Sequence, residues 1–131
     1  MYEMKQEYYT GIAEIDREHE HLFELAEQTY QLLKAEFIPD KYDNIKDVLV
    51  ELKEYTATHF AHEEEYMQSI NYKRLTPQKF QHKTFVQKLE ELDIDELIEN
   101  DPEKTIEEIL NFLTDWLVHH ILENDKLIGE E

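Results

Sequence analysis

Four stretches of this chain repeat apolar residues at a helical period, and each stretch carries a histidine inside its apolar stripe. The first runs through His19, Leu22, Phe23, Ala26, Thr29, Leu32 and Leu33, with Glu18, Glu20, Glu24, Glu27 and Lys34 mostly opposite, and predicts a helix from near Asp16. Pro39 and Asp40 break it, and Asp40 is a fair N-cap for a long second helix over residues 41–70. That helix places Ile45, Val48, Leu49, Leu52, Tyr55, Thr56, His59, Glu63, Met67 and Ile70 in phase. Thr76-Pro77 reads as an N-cap with proline at the first helical position, and His82, Phe85, Val86, Leu89 and Leu92 continue a third helix. Asp101-Pro102 repeats the signal before Ile106, Ile109, Leu110, Leu113, Trp116, Leu117 and His120, in a fourth helix ending near Gly129.

With only 2 Gly and 3 Pro, no strand-like alternation and short connections, neighbouring helices are expected to run antiparallel. The predicted fold is all-α, an antiparallel up-down-up-down four-helix bundle forming one domain over residues 1–131. Residues 1–11 form an N-terminal arm, whose Tyr2, Tyr8 and Tyr9 are expected to pack on the bundle.

Histidine and glutamate at core-phase positions constrain the chemistry, because burying an ionisable group costs several kcal/mol unless it is paired or metal-bound. His59 and Glu63 are four residues apart, one turn above each other on the face of Leu52, Thr56 and Met67, and can present a ring nitrogen and a carboxylate to one point. His19, His82 and His120 share the phase of their own stripes, so each helix offers at least one inward imidazole. A lone core histidine is ordinarily one that hydrogen-bonds to a neighbour. Four on four helices favour a common site. His21 points nearly opposite to His19, His119 is one step off the direction of His120, and His62 stays near the inner side of the second helix.

Composition narrows the partners. Thirty-two acidic against 13 basic residues give a net charge of -19, which disfavours nucleic acid and anionic membranes. Zero Cys excludes disulfides, thiolate zinc sites and iron–sulfur clusters, leaving His, carboxylate or amide donors for any metal. The segment MYEMKQEYYT has no signal-peptide core, and no apolar run approaches the ~20 residues that span a bilayer, so a cytoplasmic protein is expected.

The segments GIAEIDREHEHLF (11–23), YTATHFAHEEEYM (55–67), HKTF (82–85) and DWLVHHILENDK (115–126) resemble the hemerythrin family, specifically the small bacterial hemerythrins, in order and spacing across nearly the whole chain. The resemblance implies a four-helix bundle around two non-haem iron ions, joined by a bridging oxo or hydroxo group and two carboxylates, with reversible O2 binding at one iron. Carried over by position, His19 and His59 hold the iron with the open position, Glu63 and Asp125 bridge, and His82 and His120 hold the other iron. The family's fifth histidine, four residues before the one matched by His82, is Gln78 here. Its amide can ligate through oxygen, hydrogen-bond a water or withdraw; each gives a weaker donor than imidazole. Met4 stands where the family usually has an N-terminal Trp, and Ile128 replaces an aromatic residue.

Mixed nitrogen and oxygen donors suit iron or manganese, and this donor set is too large for one tetrahedral zinc. The five-residue step from His120 to Asp125 turns by about 140° on a regular helix, so either the last turn is distorted, as in a π-bulge, or Asp125 reaches sideways. Ferritin-like sites need Glu-x-x-His pairs; the match here, Glu18 to His21, falls on the outer face of the first helix. The expected activity is O2 binding for storage, delivery or sensing. A di-iron peroxidase or oxidase using an exchangeable position at the Gln78 iron, and metal binding without O2 chemistry, are the alternatives.

Overall fold

Asp16 sets where the first helix begins. In the computed structural model, which describes residues 2–35, 41–91 and 102–130, its carboxylate accepts hydrogen bonds from the Thr10 amide and hydroxyl, both at 2.8 Å, and from the Gly11 amide at 3.1 Å. The side chain thus folds back onto the arm, and α1 (Ala13–Lys34) starts one turn earlier than the expected Asp16. Gly11 makes this turn at φ 90°, a backbone region that side chains rarely tolerate.

Helix α2 (Lys41–Ser69) ends in a Schellman closure. Asn71 takes a left-handed φ of 54° and donates to the Gln68 carbonyl, while the Tyr72 amide reaches the Met67 carbonyl at 2.9 Å. Tyr72 then packs on Met67, which turns the chain back into α3 (Leu75–Glu90). The Thr76-Pro77 start is corrected by two residues. Arg74 is the N-cap, and Pro77 sits within the first turn, where a missing N–H leaves no intrahelical bond unmade. The Asp40 cap, Leu92 and the Asp101 cap lie outside the described residues.

The fourth long helix, α4 (Pro102–His120), passes into a π-helical turn, Ile121–Asp125, and finishes as the short α5 (Lys126–Gly129). Among the described residues there is no strand, and no helix is long and apolar enough to cross a membrane. The end of α1 meets the starts of α2 and α4 through Leu33, Ile45, Leu49, Ile106 and Leu110, with Lys34 pairing to Glu103 and Glu107. At the other end Met67, Tyr72 and Ile128 gather the end of α2, the turn after it and α5. These contacts give the antiparallel four-helix bundle.

The N-terminal residues do pack on the bundle. The Tyr2 hydroxyl donates to Asn111, and Tyr8 stacks on Phe23 at 5.6 Å, whereas Tyr9 stays exposed with its hydroxyl on Glu20. Met4 is half-buried against the core, and Ile128 is buried. Gly129 lies so close to Thr10 that a Cβ there would overlap the Thr10 carbonyl. Gly129→Ala should therefore lower stability by about 1–3 kcal/mol, read as a fall in the thermal midpoint; an unchanged midpoint would show that the contact is not held in solution.

Candidate metal centre

His19, His59, Glu63, Gln78, His82, His120 and Asp125 are all buried and meet in one layer between the large apolar core and the smaller cluster around Met67. Helical phase brings in the histidines and Glu63. Asp125 arrives differently: the π turn, with its i to i+5 spacing, returns the residue five positions after His120 to nearly the same face. Of the two alternatives for that step, the distorted turn is the one realised. The Asp125 carboxylate lies 3.2 Å from His120 Nε2 and 3.3 Å from His19 Nε2.

Glu63 sits at the centre. Its oxygens lie 3.0 Å from His59 Nε2, 3.2 Å from His82 Nε2 and 3.5 Å from His19 Nε2. The donor atoms fall into two groups, His19, His59, Glu63 and Asp125 on one side and Glu63, His82, His120 and Asp125 on the other, with the atoms of each group within 4.8 Å of one another. Two cation positions sharing two carboxylates is the arrangement this allows. Gln78, one turn before His82, is 2% exposed and donates from Nε2 to Asp125 at 3.2 Å, leaving its buried Oε1 without a partner.

Outward ties orient the rings. His59 Nδ1 donates to Glu18 at 2.9 Å, His82 Nδ1 to Glu64 at 2.9 Å, and His120 Nδ1 to Gln81 Oε1 at 2.9 Å. Each tie fixes the proton on Nδ1 and turns the Nε2 lone pair inward, as metal-binding histidines require. Sequence reading missed all three partners and placed Glu18 on the outer face. It is instead only 18% exposed and bridges buried His59 to exposed His62. The available signal was adjacency: Glu18 and Glu64 each flank a core-phase residue. His62 therefore lies outside the layer, as do half-buried His21 and exposed His119.

This geometry is unfavourable without a positive charge inside it. His82 Nε2 and His120 Nε2 face each other at 3.0 Å, and with both Nδ1 atoms committed as donors their lone pairs collide unless a proton or cation intervenes. Buried His19 Nδ1 and Nε2, His59 Nε2, both Glu63 oxygens and Asp125 Oδ2 likewise lack hydrogen-bond partners. Burial opposes charge on His19 and on His120, yet Asp125 and Glu63 outweigh it and raise both imidazoles to about 9. Burial also pushes the Glu63 carboxyl up, but His120, His19, His59 and His82 together hold it well below the usual range.

A family description, the hemerythrin HHE cation binding domain, matches residues 10–130. The chain belongs to the hemerythrin family. A bacteriohemerythrin of Clostridium acetobutylicum is 48% identical over 126 residues, covering 96% of this chain and 97% of the relative. A bacteriohemerythrin of Pseudomonas aeruginosa is 28% identical over 116 residues, covering 88% and 71%, and one of Stenotrophomonas maltophilia is 26% identical over 121 residues, covering 92% and 74%. Within this fold, the buried donor layer contains the two groups of side chains, among the described residues, that could hold a cation.

Because His19 and His120 titrate at about 9, both are protonated at pH 7 when no cation is present, and a cation must displace those protons. Titrating ferrous iron into the metal-free protein at pH 7 should release protons from these imidazoles. Calorimetry in buffers of different ionisation enthalpy measures this, and heats that do not depend on the buffer would contradict it.

Proposed function

We propose that this hemerythrin holds two iron ions joined by an oxo or hydroxo group and reversibly binds O2. His19 and His59 hold one ion, His82 and His120 the other, and Glu63 and Asp125 bridge both. Gln78 completes the second position through its unpartnered Oε1, while its Nε2 keeps Asp125 turned inward. When bound, the pair would lend two electrons to O2 and take them back on its release, which is what reversible binding requires.

The observation that carries the O2 reading is an apolar cavity of about 20 Å3 lined by Leu22, Ala26, Leu52, Thr56, Phe60, Phe85, Leu113, Thr114 and Leu117. Leu22 lies three residues from His19, Thr56 three from His59, Phe85 three from His82 and Leu117 three from His120. The cavity therefore lies one helical turn, about 5 Å, from the donor layer on all four helices. It has room for one water-sized molecule. The Thr56 and Thr114 hydroxyls donate to the Leu52 and Leu110 carbonyls, so even the polar walls are satisfied internally. Such a space favours a small neutral diatomic over an ion or a metabolite.

The same chemistry supports a second reading. An amide is a weaker donor than imidazole, so the His82 and His120 ion would exchange ligands more readily, as a peroxidase or oxidase requires. Metal analysis with absorption spectra before and after O2 and peroxide separates the two. Reversible spectral change with O2 supports the carrier, and sustained peroxide consumption supports the enzyme.

Iron-loaded protein should carry close to two irons per chain by this reading, and Glu63→Ala should lose at least one, because a shared carboxylate is removed from a buried layer. One tightly held ion in the parent with no loss in the variant would count against a dinuclear site.

Gln78→His should slow iron loss to a chelator and reduce any peroxide turnover, since imidazole replaces the weaker amide donor. Equal or faster loss from the variant would refute ligation by Gln78 and leave it as the residue that orients Asp125.

A further inference from the structure

The chain around His82 is the basic stretch of an acidic molecule, with Lys73 and Arg74 just before α3 and Lys79, Lys83 and Lys88 within it, ahead of Glu90 at its end. Residues 66–89 hold Lys73, Arg74, Lys79, Lys83 and Lys88 and not one Asp or Glu, in a chain with 32 acidic and 13 basic residues. All five basic residues are exposed. Among them stands Phe80, 71% exposed, beside a groove of about 190 Å3 that it lines with Gln81, Thr84, Phe85, Lys88 and Trp116. Trp116 stacks on Phe85 at 4.0 Å and 9° and on His120 at 4.6 Å and 11°. Trp116, and Gln81 through its hydrogen bond from His120 Nδ1, therefore each reach from the surface groove to an imidazole of the donor layer.

We propose that the outward face of α3 and the Trp116 groove form the docking surface for an acidic one-electron carrier protein, which feeds electrons to the proposed iron pair through Trp116 and His120. The occupant follows from charge. An acidic protein is repelled by most of this surface and attracted at α3, so the field both steers and orients it. Phe80 and the groove supply the apolar centre that such a contact desolvates. The proposal rests on the dinuclear reading above. At each visit the carrier loses one electron and one ferric ion becomes ferrous, so two visits reduce the pair and oxidise two carriers.

The probe is a reduced plant-type ferredoxin, an acidic two-iron carrier, mixed with oxidised iron-loaded protein in a stopped-flow instrument. Reduction should saturate with ferredoxin and slow as salt rises. The triple variant K79E/K83E/K88E should lower its second-order rate by about tenfold or more, while reduction by photoreduced deazaflavin, a small reductant with no docking face, stays within about twofold. Phe80→Ala should raise the half-saturating concentration. Trp116→Leu should slow the saturated rate by a larger factor than it raises half-saturation, the reverse of Phe80→Ala. A salt-insensitive rate, or wild-type reduction of the triple variant by ferredoxin, overturns the proposal. So does sedimentation showing a wild-type dimer that the triple variant abolishes, since the face would then join two copies of this chain. A protein that takes up no iron fails the dinuclear reading instead. Docking is then read by calorimetric titration with oxidised ferredoxin, where binding insensitive to the lysine reversals overturns it.

Discussion

Two carboxylates buried among four imidazoles organise this molecule. Glu63 is fully enclosed and Asp125 nearly so, and each touches rings from more than one helix. Ionised groups in an apolar interior are stable only when countercharge and hydrogen bonds surround them, so each helix must hold its contribution at a fixed height and rotation. The apolar layers serve that requirement. Leu22, Leu52, Phe60, Phe85, Leu113 and Leu117 pack below the layer, and Met67, Tyr72 and Ile128 close it above.

Much of this was legible in the sequence because helical phase is a geometric quantity. His19, His59, Glu63, His82 and His120 sit in phase with leucines and phenylalanines, and burial follows from phase alone. Asp125 was not legible that way. On a regular helix it faces elsewhere, and the π turn that brings it inward has no signature in the spacing of apolar residues; similarity to known sequences supplied it. Gln78 became noticeable for the same reason, although its burial beside Asp125 is a property of the fold. The starts of α1 and α3 moved because a carboxylate and a threonine look like caps in sequence whichever way the side chain turns. Glu18, Glu64 and Gln81 stayed hidden because they act across helices, where periodicity within one helix has nothing to say.

The outer ring makes the two halves of the layer unequal. His59 and His82 each lean on a carboxylate, His120 leans on a neutral amide, and His19 has no hydrogen-bond partner at Nδ1. A carboxylate behind an imidazole makes its inward nitrogen a stronger donor than an amide does. The rings facing each other across the bundle therefore differ in donor strength before any substitution within the layer is considered. Stacking adds a further difference, with Phe60 lying flat on His82 at 4.0 Å and Trp116 on His120.

The π turn has a mechanical consequence at the C-terminal end. It stores one more residue than an α-helical turn would, and the whole rotation of the chain beyond Ile121 depends on that surplus. Were the turn to tighten, everything after it would swing by about 100°. Asp125 would leave the donor layer, Ile128 would leave its seat on Met67 and Tyr72, and Gly129 would part from Thr10. The cation layer, the apolar lid and the anchor of the N-terminal arm are thus geared to one local winding number, and releasing any one of them requires turning the other two.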